Sequence, residues 1–202
     1  KVNATELNYN QTSIKALAQT YGFIIGQDIS LSRIEKEYPE LALSVLLAKS
    51  QFNSSFPNIE SKLKEQLVSA IGMKSFNEMS IKSPNNLQAT LGKQVITKAI
   101  AQGFLNQIKE RARGNVESPV LEYLLAVNYQ DSPVSEFLEG YKQKFNSKGH
   151  KKSQGLEIAL QAPKSWKAKE GYRPHIVQKW VSQNGTGLVM IFLDIRDTEG
   201  YA

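Results

Sequence analysis

The chain has 202 residues, 41% of them hydrophobic, and a formal net charge of +6. This hydrophobic content is enough for a substantial core, arranged as one large domain or two small ones. No apolar run approaches the roughly 20 residues that a helix needs to cross a bilayer. The absence of cysteine excludes disulfides, a thiol nucleophile and thiolate metal sites, although it does not define the compartment.

Capping residues predict where the first helices begin and end. Thr12 or Ser13 is expected to cap a helix with an apolar period of 3.6 residues, and Gly26 is expected to end it. The capping box from Ser32 to Glu35 predicts that a short second helix starts there. From Leu41 to Phe52 nearly every position is apolar or small, which predicts the most buried helix of the set.

Proline placement extends the helical pattern to residue 147. Five of the seven prolines stand where a helix is expected to begin, because proline is favoured at the first helical position. The longest predicted helix contains Gly92 and Gly103, for which a close helix crossing is the expected compensation. The sequence thus predicts a helical domain over residues 12–147. Its later helices are expected at Pro57–Ile71, Ser75–Met79, Pro84–Arg113, Pro119–Asn128 and Pro133–Asn146.

A different pattern begins after residue 155. The polar stretch 146–154 is expected to be a linker, with strands only beyond it, in a β segment over residues 155–202. Asn184-Gly185 between two apolar runs predicts a hairpin with a two-residue turn. The register that this turn implies pairs Val181 with Leu188, Trp180 with Val189, Val177 with Phe192 and His175 with Asp194.

The two ends of this β segment differ in their apolar pattern. Leu188–Leu193 is apolar on both parities, which predicts a central strand that is covered on both faces. Leu156–Gln161 alternates between apolar and polar residues, as a half-exposed edge strand does. Three strands cannot cover themselves, so helices of the same chain or a partner chain, as in a dimer, must complete the sheet. The predicted fold is α+β, with a mainly helical N-terminal part followed by a small antiparallel meander.

One part of the β segment also resembles a known family. A short alternating strand, then Pro163 and Trp166, a polar stretch and a strand–turn–strand unit over residues 155–197 resemble the opening of PsbP-like proteins. The match covers about a quarter of the chain. The resemblance implies an antiparallel sheet, and PsbP-like sheets need more strands than the residues after Asp197 can supply.

Excess positive charge is concentrated in one region. Lys142–Lys179 contains 10 basic residues against 2 acidic ones, a net charge of +8, whereas residues 1–141 balance at 14 of each sign. A basic surface with aromatic residues suits an anionic partner, and the alternative is a solvated loop beside ordinary sheet aromatics. The candidate binding residues are Lys148, Lys151, Lys152, Lys164, Trp166, Lys167, Lys169 and Arg173.

Candidate catalytic chemistry is sparse. His150 is expected to be an exposed linker residue, and His175 opposite Asp194 is expected to form a cross-strand ion pair rather than a catalytic base and its carboxylate. Two isolated histidines without cysteine give no zinc spacing, and no motif points to a cofactor. The carboxylate pairs that could perform acid–base work are Glu35 with Glu37 and Asp194 with Asp197, and nothing selects them among 19 acidic residues.

These observations favour a non-enzymatic interaction protein that uses the β segment and its basic flank to contact a partner. One alternative is a binder of an anionic polymer or membrane surface through Lys142–Lys179, and a further alternative is a hydrolase of unknown substrate. The first residue is Lys1 rather than Met, which predicts that an N-terminal segment has been removed. The expected location is periplasmic or secreted.

Overall fold

The computed structural model describes residues 10–92, 94–183 and 187–192. The chain forms two compact units, one from Tyr9 to Asn128 and the other from Tyr129 onward. The division therefore falls at the end of a predicted helix, and the segment expected to be the linker, 146–154, lies inside the second unit. The α+β fold class is confirmed, with helices first and two small antiparallel sheets after them.

The first unit is helical in its described part. A single 3₁₀ turn, Pro39–Leu41, connects its first two helices, and the final helix has the predicted bounds. Among the described residues, no helix of either unit is long and apolar enough to cross a membrane. The helices of the first unit are α1 Gln11–Glu37, α2 Ala42–Ser55, α3 Ile59–Gly92, α4 Lys98–Ala112 and α5 Pro119–Asn128.

Helix α1 is longer than the sequence predicts. Asn10 caps it through a reciprocal box in which the Ser13 amide donates to Asn10 Oδ1 at 2.8 Å. The helix then continues through Gly26, so the predicted end at Gly26 and the predicted new start at Ser32 are wrong. Ile24 and Leu31, on either side of Gly26, are both buried, because one apolar face runs along the whole helix.

Two glycines of this unit are expected to respond oppositely to alanine. Gly26 lies within α1, and a Cβ there would meet no atom within 4 Å, so Gly26→Ala should raise the free energy of unfolding by about 1 kcal/mol. Gly72 interrupts α3 at φ 79° and ψ 155°, a conformation that only glycine adopts readily. Gly72→Ala should therefore destabilise the unit by about 1–2 kcal/mol. Urea denaturation followed by far-UV circular dichroism measures both, and equal shifts in the same direction would contradict this account.

The long helix predicted over Pro84–Arg113 is wrong, because two helices occupy that range. Helix α3 ends at Gly92 and α4 begins at Lys98. Thr97 caps the second helix, since its Oγ1 accepts a hydrogen bond from the Ile100 amide at 3.3 Å. Gly92 and the N-cap residue Thr97 thus separate α3 from α4, although the apolar periodicity of the sequence had suggested one continuous helix.

The prediction that α2 is the most buried helix is also wrong. It buries one face, which carries Val45, Ala48 and Phe52 at spacings of three and four residues. Leu43 and Leu46 on the other side are 68% and 62% exposed. Because Leu43, Leu46 and Leu47 place apolar side chains away from the buried face as well, the sequence does not distinguish the covered face from the open one.

The second unit combines one short helix with two antiparallel sheets. The first sheet pairs β1 with β2, and the second has the order β3-β4-β5. Two predictions fail here, because α6 ends at Leu138 rather than at Asn146 and a strand follows it before residue 155. The elements are α6 Pro133–Leu138, β1 Lys142–Asn146, β2 Ala159–Pro163, β3 Lys167–Glu170, β4 Ile176–Val181 and β5 Leu188–Phe192.

The register of the last two strands is partly as predicted. Trp180 pairs with Val189 and Val181 with Leu188, as the two-residue turn implies. The predicted pairing of Val177 with Phe192 is wrong, because a bulge lets Ile176 occupy that position. The turn residues 184–186 and the proposed partner of His175, Asp194, lie outside the described residues.

Candidate functional site

One face of the three-stranded sheet is buried at β4 and β5, whereas all four residues of β3 are exposed. Trp180 and Ile191 on the inner face are 2% and 8% exposed, and they pack with residues of the first sheet such as Phe145. Directly paired residues of neighbouring strands point to the same side of a sheet, and successive residues point to opposite sides. The residues on either side of Trp180 in β4, Lys179 and Val181, therefore lie on the outer face.

The outer face joins positive charge to exposed apolar side chains. Lys169 of β3 pairs with Lys179 of β4, which pairs with Met190 of β5. The same parity adds a lysine at the start of β3, Val181 of β4 and two apolar side chains of β5. We call this surface the basic–apolar face, and it consists of Lys167, Lys169, Lys179, Val181, Leu188, Met190 and Phe192.

The apolar half of this face is well exposed. Leu188, Met190 and Phe192 are 57%, 39% and 62% exposed, all along β5, which lies at the edge of the described sheet. Tyr172 in the connection between β3 and β4 is 92% exposed, and the Lys179 ammonium lies 5.1 Å from the centre of its ring. Single exposed apolar side chains are ordinary on protein surfaces, whereas a contiguous row of them marks a surface for interaction.

The basic half of the face carries an electrostatic cost. Lys169 and Lys179 are directly opposite each other on adjacent strands, and like charges in such positions destabilise a sheet by up to about 1 kcal/mol. Among the described residues, no carboxylate forms an ion pair with either of them. Glu170, the acidic residue of β3, is on the opposite parity and pairs with Lys152 at 3.3 Å. An anionic partner would relieve this repulsion.

The structure separates the eight residues predicted for binding. Lys167 and Lys169 lie on the basic–apolar face. The others lie on loops and turns of the second unit: Lys148, Lys151 and Arg173 are exposed, Lys164 is half-buried, and Lys152 donates to the Gly171 carbonyl as well as pairing with Glu170.

Trp166 was expected to form part of a binding surface, and this prediction is wrong. Its side chain is 5% exposed and belongs to the core with Trp180 and Ala162. A Cβ on Gly187 would collide with the Trp166 ring, so the chain approaches this indole closely. Tryptophan is a large, mainly apolar residue, and burial in the core is favourable for it. The basic residues around Trp166 in the sequence had suggested a surface position instead.

Sequence reasoning missed the residues that define the apolar half of the face. Leu188–Leu193 was expected to be a central strand covered on both faces, but β5 is an edge of the described sheet and leaves three large side chains open. An apolar pattern on both parities is common to fully buried strands and to edges that bind a partner. The lysines of the neighbouring strands, Lys169 and Lys179, could have distinguished a buried strand from an edge strand, because two unpaired positive charges are too costly on a face that is covered by apolar residues.

The described histidines and carboxylates among those considered for catalysis are occupied or exposed, whereas Asp194 and Asp197 lie outside the described residues. His150 is half-buried, not an exposed linker residue, and its Nδ1 accepts from the Lys152 amide at 3.2 Å. His175 is exposed. Glu35 and Glu37 form ion pairs with Lys49 at 3.7 Å and Arg33 at 2.6 Å. Within the part of the chain that the structure describes, no cluster of three histidine or acidic side chains could hold a metal ion.

Comparison with known proteins gives no match to this chain: no family model, no curated protein and no solved structure is similar to it.

Proposed function

We propose that this protein is a non-enzymatic binding protein whose basic–apolar face holds an acidic, amphipathic segment of a protein partner. The observation that carries the proposal is the lysine pair Lys169–Lys179 directly beside the exposed side chains of β5. The repulsion between the two lysines destabilises the sheet, and the exposure of the apolar side chains of β5 to water is also unfavourable. A partner with carboxylates over the lysines and apolar side chains over β5 removes both costs.

The composition of the face favours a protein segment over a nucleic acid. Its cations are lysines, which act as point charges without the planar fork that recognises phosphates and bases, and Arg173 is outside it. Leucine and methionine beside the lysines suit apolar side chains better than a phosphate backbone. An extended segment could also add to the β5 edge, where main-chain hydrogen bonds contribute affinity.

A membrane surface with anionic lipids is the second candidate for the same face. Exposed aromatic and aliphatic side chains next to lysines are the pattern that interfacial binding uses, and Tyr172 and Phe192 are placed accordingly. The hydrolase alternative gains no comparable support, because Glu35 and Glu37 already serve exposed ion pairs. A periplasmic or secreted location belongs to the proposal and is checked by cell fractionation with an antibody.

The resemblance of residues 155–197 to PsbP-like proteins stays a prediction within this proposal. What supports it is the order of features, in which β2 ends at Pro163 and is followed by Trp166 and the three strands of the second sheet. A second copy of this chain is a further candidate partner for the face, and light scattering at micromolar concentration would detect the resulting dimer.

Charge reversal on the face is expected to abolish partner binding. The triple variant Lys167→Glu, Lys169→Glu, Lys179→Glu places carboxylates against an acidic partner, so its affinity should fall by about 100-fold or more. The matched control Lys144→Glu, Lys148→Glu, Lys151→Glu changes the net charge equally in the same unit, off the face, and should lose less than about threefold.

The partner for this measurement is identified by a photo-cross-linking amino acid that replaces Met190 and captures the molecule bound there. The same group at Leu156, which is 52% exposed elsewhere in the second unit, is the control position. We expect acidic, apolar peptides cross-linked through Met190 alone, and their loss in the charge-reversal triple. Equal capture at Leu156, or capture that survives charge reversal, would contradict the proposal. If no peptide is cross-linked and the protein sediments with phosphatidylglycerol vesicles, the result would favour the membrane surface as the ligand of this face.

A further inference from the structure

The first unit contains a cavity of about 630 Å³ that lies along one side of α1. Its floor is a row of small residues at every fourth position, Ala18, Gly22, Gly26 and Ser30. Residues four apart lie on the same side of a helix, so the row leaves a continuous strip without long side chains. A Cβ on Gly26 would meet no atom within 4 Å, which means that the space above the strip is open.

Large apolar side chains form the walls of this cavity. Phe23 of α1 and Phe104 of α4 line it, together with Met79 and Leu91 of α3. The lining positions on α1 run from Lys15 to Ser30, and the fifteen rises of about 1.5 Å between these residues correspond to a length of about 22 Å. The volume is within the range of roughly 300–1,000 Å³ that small-molecule sites occupy. The shape and lining suit an elongated apolar molecule.

A buried cation lies behind the cavity wall, in contact with two of the residues that line it. Arg111 of α4 is 6% exposed, its guanidinium carbon is 4.4 Å from the centre of the Phe23 ring, and its Nη1 donates to Gln27 Oε1 at 3.5 Å. Phe23 and Gln27 both line the cavity. Arg111 Nε has no hydrogen-bond partner, and among the described residues no carboxylate forms an ion pair with the guanidinium.

A buried guanidinium without a counter-ion is costly. Burial lowers the pKa of Arg111, but arginine remains charged at any physiological pH, so the charge persists inside the unit. The stacking on Phe23 and one long hydrogen bond to a neutral amide compensate only part of the desolvation. An anionic group that enters the cavity beside Gln27 would supply the missing negative charge next to the guanidinium. Lys15, at the other end of the lining, adds positive potential.

We propose that this cavity binds a single-chain amphiphile with one carboxylate, a ligand of the fatty-acid class. Its chain lies along the Ala18–Ser30 strip, and its carboxylate lies beside Gln27, the lining residue to which Arg111 donates. The proposal rests on the first unit alone, so it stands or falls independently of the binding proposed for the sheet of the second unit.

Calorimetric titration with laurate and with lauryl alcohol tests the proposal. We expect saturable binding of laurate to the full chain at one site, and at least tenfold weaker binding of the alcohol, a difference of about 1.4 kcal/mol. Arg111→Met should reduce the affinity for laurate to that for the alcohol while leaving the alcohol unchanged. Far-UV circular dichroism verifies folding, since replacing a buried unpaired charge by an apolar residue is often neutral or stabilising.

Two glycine variants provide a matched pair for the cavity itself. Gly26→Leu fills the strip, whereas Gly103→Leu places the same side chain in α4 at a position that also has open space but does not line the cavity. Both changes favour helix, so neither should unfold the unit. We expect Gly26→Leu to lose laurate binding by at least about 30-fold and Gly103→Leu to retain it within about threefold. Laurate that does not bind below about 1 mM, binds equally to both variants, or binds no better than the alcohol would overturn the proposal.

Discussion

Replacement of Trp180 by alanine is expected to unfold the second unit while the helices of the first unit remain. Trp180 is 2% exposed and is the largest side chain among the fully buried ones. Its ring meets Phe145 edge-on at 5.1 Å and packs with Val177 and Ile191. Truncating a buried tryptophan costs about 3–5 kcal/mol. Because the unit is small, this is a large share of a total stability of about 5–15 kcal/mol.

The positions of the two tryptophans make this measurement selective. Trp166 and Trp180 both belong to the second unit, so Trp166 remains as its reporter in the variant. We expect the Trp166 fluorescence of Trp180→Ala to show an unfolded environment, or a urea midpoint far below that of the unmodified chain, while most of the far-UV ellipticity persists. Leu188→Ala, a truncation at a 57% exposed position of the same sheet, is the control and should cost less than about 1 kcal/mol. A Trp180→Ala midpoint as high as that of the control would contradict the assigned core.

Local signals in the sequence predict those elements whose ends are fixed by nearby residues. Helix α5 has the predicted bounds because Pro119 favours the first helical position, and α6 starts at Pro133 for the same reason. The pairing of Trp180 with Val189 is the one that a two-residue turn at Asn184-Gly185 predicts. In these places a short-range preference and the final structure agree.

The failures have a common physical origin, because each depends on packing that is remote in sequence. Gly26 favours a helix end, but the buried face of α1 continues past it and outweighs the glycine. Strand β1 is polar at most positions, and only its pairing with β2 makes it a strand. The bulge at Val177 moves the Val177 side chain into the core, and no local sequence pattern predicts this bulge.

The candidate site was half predictable for the same reason. The segment Lys142–Lys179, where the excess charge lies, contains all three lysines of the basic–apolar face, and two of them, Lys167 and Lys169, are among the candidate binding residues. Whether Leu188–Phe192 lies at the centre or the edge of a sheet is decided by strands elsewhere, so the apolar half could not be assigned. The Arg111 cavity depends on how three helices meet, and a lone arginine near a helix end gives no sign of burial in a sequence.

Removal of the Glu136 carboxylate is expected to destabilise the second unit by about 3 kcal/mol. Glu136 of α6 is 1% exposed, and its two oxygens accept from the backbone amide and the hydroxyl of Ser165, both at 2.6 Å. The Lys164 amide, which donates to the Tyr141 carbonyl at 3.1 Å, also stabilises the carboxylate. In Glu136→Ala the two Ser165 donors lose their acceptor inside the protein, and each unsatisfied buried donor costs about 1–3 kcal/mol. Urea denaturation followed by tryptophan fluorescence measures the loss. Ser165→Ala, which removes one hydrogen bond together with its donor, should cost less.

The same carboxyl group should make stability depend on pH in a defined direction. Burial raises the pKa of Glu136 above its ordinary value, and the hydrogen bonds from Ser165 and Lys164 lower it by less. The folded state therefore binds the proton more tightly than the unfolded state does. The stability that this contributes is fully present below the unfolded value of about 4.3 and is lost as the pH rises through the folded pKa.

Glu136→Gln isolates this contribution, since the amide has nearly the same shape and does not titrate. The difference in unfolding free energy between the unmodified chain and Glu136→Gln should be largest at about pH 4 and should shrink toward neutral pH. Subtraction cancels the other carboxyl groups, such as Glu40 and Glu110, whose hydrogen bonds lower their pKa values. An advantage of the unmodified chain that instead grows with pH would mean that the donors of Ser165 and Lys164 outweigh burial, and that the ionised carboxylate is the form which the fold prefers.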